Sequence, residues 1–211
     1  KRFLGSFISL ATLQGLNYIL PLLTLPYLVR TLGVDKFGAL AFATAIIGYF
    51  VVLTDYGFNF TATREVSIFK GNTEKLNEIY SSVMSIKAIL LGISLLILIG
   101  FTFFFDKFSA DPILYYLTFG IVIGQVLFPV WFFQGMEQMK YITIINIFSK
   151  VSFTLAIFIF VKDASDYLYV PLLTSLGAII GGVYSLILIS KKFKINFHFQ
   201  KIEVILSYLK G

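Results

Sequence analysis

The sequence predicts an all-α integral membrane protein, built as a bundle of six transmembrane helices. Hydrophobic residues make up 58% of the 211 residues and charged residues only 13%, and the mean hydropathy is +0.88. These values lie well outside the averages of soluble domains. The chain also contains five uncharged stretches of 18 residues or more. Each is about long enough to cross a ~30 Å hydrocarbon layer as a helix that rises ~1.5 Å per residue.

The predicted spans follow the apolar stretches in chain order. They cover residues 3–29, 37–58, 85–105, 112–133, 141–161 and 167–190. The fifth span is interrupted by one charge, Lys150. Residues 1–190 are therefore predicted to form a six-helix transmembrane lobe, and residues 191–211 a basic linker on the cytoplasmic side.

The distribution of Lys and Arg predicts how the spans are oriented. With a cytoplasmic N-terminus, the cytoplasmic loops and helix ends carry twelve of these residues and the opposite side carries four. The positive-inside rule therefore favours cytoplasmic N- and C-termini. The net charge of +6 follows from this bias and from attraction to anionic lipid head groups, so no nucleic-acid partner is expected.

Several kinds of chemistry find no support in the sequence. The chain has no cysteine and one histidine, His198, which leaves no thiol nucleophile and no His-cluster metal site. It also lacks the GxxxxGK[ST] loop of nucleotide hydrolases. The loops predicted on the outer side are short turns, too small to hold an active site. We therefore expect a protein that is not an enzyme and that carries no cofactor or metal.

Lys150 is the strongest candidate for a functional residue. On the fifth span its neighbours at helical spacing are polar, so that one helix face carries Thr143, Asn146, Ser149, Lys150 and Thr154. A lysine at the membrane centre costs roughly 2.5 to 3.5 kcal/mol on insertion scales, and such residues usually form ion pairs or line a water-filled path. Two readings remain open. Lys150 either lines a cavity for an anionic substrate, or it forms a structural pair with an acid such as Asp55 or a polar bond between helices.

The first span has a second polar face, made by Gln14, Asn17, Pro21 and Thr24. Pro21 and Pro26 each remove a backbone donor and can bend the helix. The face predicts either one wall of a cavity with Gln14 and Asn17 as substrate-binding residues, or ordinary hydrogen bonds between helices.

Charges near the span ends complete the candidate site. Arg64 and Arg30 are candidates for substrate binding, or they snorkel to lipid phosphate or pair with a nearby acid. Asp55 is the acidic candidate for coupling to an ion. Residues 64–87 are predicted to form an amphipathic connector at the head-group surface, with Leu76, Ile79 and Tyr80 as its apolar contacts.

Five glycines are expected to be close-packing positions. The sequences GIVIG and GAIIG both have the GxxxG spacing that lets membrane helices approach closely. The glycines are Gly120, Gly124, Gly177, Gly181 and Gly182.

Three segments resemble the Wzx-type flippases of polysaccharide biosynthesis, in the MATE-like MOP exporter superfamily. They are LPYLVRTLGVDKFG (25–38), DYGFNFTATREVS (55–67) and FPVWFFQGMEQMKYITIINIFSK (128–150). Members of that family have two six-helix lobes, so the resemblance implies one lobe of a transporter with twelve or more helices, followed by a linker to a second lobe that this chain lacks.

The resemblance also implies a function. Such proteins move undecaprenyl-pyrophosphate-linked oligosaccharides across the bacterial inner membrane for O-antigen or capsule assembly, in contact with membrane lipids and with the polysaccharide assembly machinery as a further partner. On this interpretation Lys150, Arg64 and Arg30 attract the pyrophosphate, while Asn146, Asn17 and Gln14 meet sugar hydroxyls. The alternatives are a multidrug or other small-molecule exporter of the same superfamily, and a membrane enzyme acting on lipid-linked sugars.

Overall fold

The structure, a computed structural model, describes the backbone of residues 2–198 and 200, and side chains at residue 15 and from residue 18 onward within that range. All regular structure in this part of the chain is helical. The α-helices are α1 Arg2–Asp55, α2 Phe58–Ile68, α3 Thr73–Phe104, α4 Asp106–Ser109, α5 Pro112–Leu127, α6 Val130–Gly135, α7 Met139–Phe160 and α8 Tyr169–Leu188. A 3₁₀ helix, Ala164–Leu168, precedes α8, and a π-helical turn, Ile189–Phe193, follows it.

The first predicted span and nearly all of the second lie in α1, on either side of Gly33. Gly33 has φ 76° and ψ 167°, a backbone conformation that glycine adopts without steric cost. Before this break, the Tyr27 hydroxyl donates to the carbonyl of Val161, at the end of α7, over 2.6 Å. After it, the helix ends at Asp55, beside Phe128, which directly follows α5. Helices α5 and α7 run in opposite directions, so their last residues lie at opposite ends of the bundle. The chain is thus at one end of the bundle near Tyr27 and at the other end by Asp55, and α1 changes direction at Gly33.

The bundle has the membrane-spanning character that the sequence predicts. Five segments of the described chain are long and apolar enough to cross a membrane: Tyr18–Ile68, Thr73–Phe104, Pro112–Gly135, Met139–Phe160 and Ala164–Phe193. The first runs from Tyr18 through the break at Gly33 to the end of α2. The prediction of an all-α membrane bundle is therefore confirmed.

The third span begins earlier than predicted, and the expected surface connector is wrong. Asn72 caps α3, because its side chain accepts a hydrogen bond from the backbone N–H of Lys75 over 3.0 Å. From there α3 continues unbroken to Phe104. The residues named as apolar contacts of the connector are buried within the protein: Leu76, Ile79 and Tyr80. Helix α6 supplies the aromatic surface that they pack against.

Two apolar cores hold the helices together, one near each end of the bundle. The first surrounds α6, where Trp131, Phe132 and Phe133 are fully buried among residues of α2, α3 and α7. The second joins both halves of α1 to α5, with Leu28, Leu40 and Phe119 among its members. Between the two cores, α1, α5, α7 and α8 leave a cavity.

Helices α5 and α8 approach each other at glycines, as the sequence predicts. A Cβ atom placed on Gly120 would lie 2.6 Å from the Cβ of Ser175, and one on Gly124 would lie 2.4 Å from the Cβ of Ala178. One on Gly182 would lie 2.7 Å from the Cβ of Leu127. The other two predicted glycines face α7, because added Cβ atoms at Gly177 and Gly181 would meet Phe153 and Ser149.

The start of the predicted linker packs on α3. After the π-helical turn, Lys194 adopts a left-handed conformation with φ 57°. The backbone N–H groups of Asn196 and His198 then donate to Asn77 Oδ1 over 2.8 Å and Ser81 Oγ over 3.0 Å. The linker's course from residue 201 lies outside the described residues, and its role stays a prediction.

We expect Gly124→Ala to destabilise the bundle by about 1–3 kcal/mol, because the new methyl group would overlap Ala178 and force α5 away from α8. The matched control is Gly92→Ala on α3, where an added Cβ meets nothing within 4 Å and alanine should stabilise the helix by about 0.5–1 kcal/mol. Thermal unfolding in detergent would compare the two variants. Equal stability of both would contradict the close contact.

Candidate functional site

A cavity of about 380 Å³ lies between α1, α5, α7 and α8. Its walls are mainly aliphatic and aromatic, with a minority of polar side chains. The polar lining residues are Thr24, Gln125, Asn146, Ser149, Lys150, Thr154 and Thr174. A mostly apolar cavity with a few convergent polar groups is typical of small-molecule binding sites.

The polar face predicted on α7 lines this cavity. Asn146, Ser149, Lys150 and Thr154 all contribute to its wall. The Asn146 amide donates to the carbonyl of Ile142 over 2.9 Å, which leaves its side-chain oxygen as an acceptor. The fifth predicted residue, Thr143, is buried one turn away and lies outside the lining.

Lys150 lies near the middle of α7, roughly 15 Å from either end of the helix at ~1.5 Å per residue. A lysine side chain reaches only about 6 Å, so snorkelling along the helix does not bring its ammonium group to a helix end. Its side chain is exposed at the cavity wall. Among the described residues that line the cavity, none is acidic, and Lys150 is the one formal charge.

The first helix supplies part of the wall, which is one of the two alternatives that its polar face left open. Pro21 and Thr24 line the cavity beside Leu20 and Leu28. The side chains of the other two predicted residues, Gln14 and Asn17, lie outside the described residues.

A second cavity, of about 410 Å³, lies where α1 ends and shares Gln125 and Phe128 with the first. It contains an ion pair between Asp55 and Lys87, whose Nζ and Oδ1 atoms are 3.3 Å apart. The Asn59 amide donates to the same Asp55 oxygen over 2.9 Å. The Lys87 side chain is only 5% exposed, and that of Asp55 is 30% exposed.

The second cavity tests one sequence hypothesis for Asp55, its pairing with Lys150. The partner of Asp55 is Lys87, so the alternative in which Asp55 neutralises Lys150 is wrong in this structure. The sequence interpretation missed Lys87, because it placed this residue at the cytoplasmic end of a loop. It also missed Gln125, which is the single amide in the apolar run of α5.

Arg64 and Arg30 are not brought together with Lys150. Arg64 is exposed on α2, and Arg30 is exposed on α1 three residues before Gly33. Neither lines either cavity. No three His, Cys, Asp or Glu side chains in the described part of the chain are grouped so that they could hold a metal ion.

Removing one partner of the ion pair should destabilise the protein more than removing the other. We expect Asp55→Ala to destabilise the protein by a few kcal/mol, because it leaves the deeply buried Lys87 without its counter-charge. Lys87→Ala should cost less, because Asp55 is partly exposed. The double variant Asp55→Lys with Lys87→Asp keeps the pair and should regain part of the loss. Melting temperatures in detergent would test this order, and a less stable Lys87→Ala would contradict it.

Comparisons with known proteins place the chain in a family. Residues 3–210 match the family described as "Polysaccharide biosynthesis protein". Two curated relatives are both named "Putative O-antigen transporter". The Escherichia coli K12 protein is 34% identical over 86% of this chain and 44% of its own length, and the Shigella dysenteriae protein is 28% identical over 88% and 46%. A Bacillus subtilis protein named "Uncharacterized membrane protein EpsK" is 30% identical over 64% of this chain and 27% of its own length.

The chain thus spans less than half the length of the curated relatives it matches. No solved structure matches it significantly. The family match covers both cavities and every helix described above. The chain belongs to the polysaccharide biosynthesis protein family.

Proposed function

We propose that this chain is one lobe of a flippase that moves an undecaprenyl-pyrophosphate-linked oligosaccharide across the bacterial inner membrane. The observation that carries the proposal is Lys150, a basic residue near the middle of the apolar helix α7 that lines a cavity, in a member of the polysaccharide biosynthesis family. The relatives named as O-antigen transporters support a transport role for the whole protein. Moving such a lipid requires no covalent chemistry.

The cavity suits the anionic head group of such a lipid. A pyrophosphate that leaves water loses its hydration, and a nearby cation offsets part of this cost. Two unit charges 4 Å apart attract each other by about 4 kcal/mol at an effective dielectric constant of ~20. Lys150 supplies this charge, and Asn146, Ser149 and Thr154 supply hydrogen-bonding groups on the same face.

The remaining parts of the lipid require different surroundings. The polyprenyl chain would stay in the bilayer, where it costs no desolvation. The part of the relatives that this chain does not cover would supply the second wall of the path, and rocking of two lobes would open the cavity to each side in turn, as in other repeat-built transporters. Membrane lipids and the polysaccharide assembly machinery would be the partners of the whole protein.

Arg64 and Arg30 have a separate role in this proposal. Both are exposed and lie outside the cavities. With a cytoplasmic N-terminus, Arg64 would face the cytoplasmic leaflet and Arg30 the outer one. They would attract the pyrophosphate before entry and after release, over the range of about 8–10 Å that salt screening allows.

Ion coupling through Asp55 stays a prediction from the sequence. A proton or Na⁺ that binds Asp55 would have to compete with the Lys87 ammonium group 3.3 Å away. Coupling would therefore involve the pair as a unit, and the energy source of the whole protein would be measured with ion gradients across a proteoliposome membrane.

We expect the loop at Ala164 to lie on the outer side and the turn at Gly71 on the cytoplasmic side. Both residues are exposed, and the chain has no native cysteine. A membrane-impermeant maleimide should label Ala164→Cys in intact spheroplasts and Gly71→Cys only after lysis, if other accessible cysteines of the full-length protein are removed. The reverse pattern would contradict the orientation that the Lys and Arg distribution predicts.

We expect Lys150→Ala to slow translocation of a labelled polyprenyl-pyrophosphate oligosaccharide by at least about tenfold, because it removes a desolvated charge contact. Lys150→Arg keeps the charge and should retain part of the activity. The measurement uses the full-length protein in proteoliposomes.

The matched control is Lys140→Ala, which removes an exposed lysine from the same helix outside both cavities. This variant should translocate the labelled oligosaccharide at the wild-type rate. A normal rate for Lys150→Ala would refute the assignment of Lys150. A wild-type protein that exports small organic cations but moves no lipid-linked sugar would support the small-molecule exporter instead.

A further inference from the structure

We propose that the second cavity is a binding site for the sugar part of the substrate, that is, for neutral groups rich in hydroxyls. Its polar lining residues are Thr54, Asp55, Asn59, Lys87 and Gln125. The inference rests on the proposed function, which assigns the anionic head group to Lys150 in the first cavity. On this proposal the first cavity binds the head group of the ligand and the second cavity binds its sugar part.

The charges of the two cavities differ in the way this division requires. In the second cavity the formal charges of Asp55 and Lys87 cancel within one ion pair. The first cavity carries the formal positive charge of Lys150 among its described lining residues. Entering the second cavity costs a net-neutral polar ligand less desolvation free energy than it costs an anion, because the cavity has no net positive charge to offset the desolvation of an anion.

The ion pair presents unused hydrogen-bonding capacity. Asn59 and Lys87 both donate to Asp55 Oδ1, and within the described residues Oδ2 makes no hydrogen bond. The Lys87 ammonium group has three N–H donors and uses one of them on Asp55. An acceptor therefore lies beside free donors, which matches adjacent sugar hydroxyls because each hydroxyl both donates and accepts.

Gln125 extends this capacity toward the first cavity. Its side chain is exposed and lines both cavities, and its amide makes no hydrogen bond within the described residues. The amide offers two N–H donors and one carbonyl acceptor. Because Gln125 and Phe128 are common to both linings, the two cavities adjoin at these residues. One ligand would place its head group on the Lys150 side of them and its sugars on the other.

The size of the second cavity agrees with this ligand. At about 410 Å³ it falls within the roughly 300–1,000 Å³ of small-molecule sites. A polar site of this kind also discriminates between ligands, since a ligand without the matching hydroxyls leaves polar groups of the site unsatisfied. The second cavity is thus the place where this lobe would distinguish one oligosaccharide from another.

The experiment compares two probes on the full-length protein in lipid nanodiscs. One probe is a polyprenyl pyrophosphate with an attached oligosaccharide, and the other is the same polyprenyl pyrophosphate without sugar. The variants are Asn59→Ala and Gln125→Ala, and the second removes no hydrogen bond present within the described residues. The control is Ile113→Ala, an exposed residue of α5 outside both cavities.

We expect Asn59→Ala and Gln125→Ala each to raise the Kd of the sugar-bearing probe about tenfold, the effect of losing one or two hydrogen bonds. The Kd of the sugar-free probe should change less than about twofold, and Ile113→Ala should change neither. If both variants weaken the two probes equally, or weaken neither, the sugar assignment is wrong.

A third variant separates this proposal from the one it rests on. Lys150→Ala should weaken both probes, because both carry the pyrophosphate. If Lys150→Ala raises the Kd of both probes while Asn59→Ala and Gln125→Ala change the two Kd values equally, that result would support the proposed function and refute the sugar site. If Lys150→Ala changes the Kd of neither probe, the assignment of the head group to Lys150 is wrong.

Discussion

The close approach of α5, α7 and α8 at glycines is the contact on which the rest of the bundle depends. In lipid, helices gain little from hydrophobic association, so close packing of small residues supplies much of the attraction between them. Here the same glycines also shape the site, because Gly124, Gly177 and Gly181 line the first cavity. Their missing side chains bring α8 against α5 and α7 and fix the direction in which the polar face of α7 points.

A charge at membrane depth is tolerated where the protein surrounds it with polar groups or water. The structure meets this condition in two ways. Lys150 faces a cavity with hydroxyl and amide groups at its wall, whereas Lys87 is only 5% exposed and is paired with Asp55. Lys150 is thus the more exposed of the two lysines, and the charge of Lys87 is already balanced by Asp55. This difference in exposure is the physical basis for assigning the anionic head group to Lys150.

Features with a helical period could be predicted from the sequence. The polar face of α7, the part of the α1 face at Pro21 and Thr24, and the glycine contacts all follow from spacing along one helix. In the structure most of the α7 face and these two residues of α1 line the first cavity, and the glycine contacts are confirmed. Contacts between distant segments could not be predicted in this way. Asp55 and Lys87 are 32 positions apart, and each looks like an ordinary charge at the end of an apolar run. Gln125 is a single amide within the apolar run of α5. The surface connector failed for a related reason, because the aromatic cluster that buries it lies on α6.

The most direct test of the central claim is a structure of the full-length protein with a bound polyprenyl-pyrophosphate oligosaccharide, determined by electron cryo-microscopy. The account predicts pyrophosphate density within about 4 Å of Lys150 Nζ, the distance of a direct ion pair. Pyrophosphate density at another site, with Lys150 facing only protein atoms, would contradict the account.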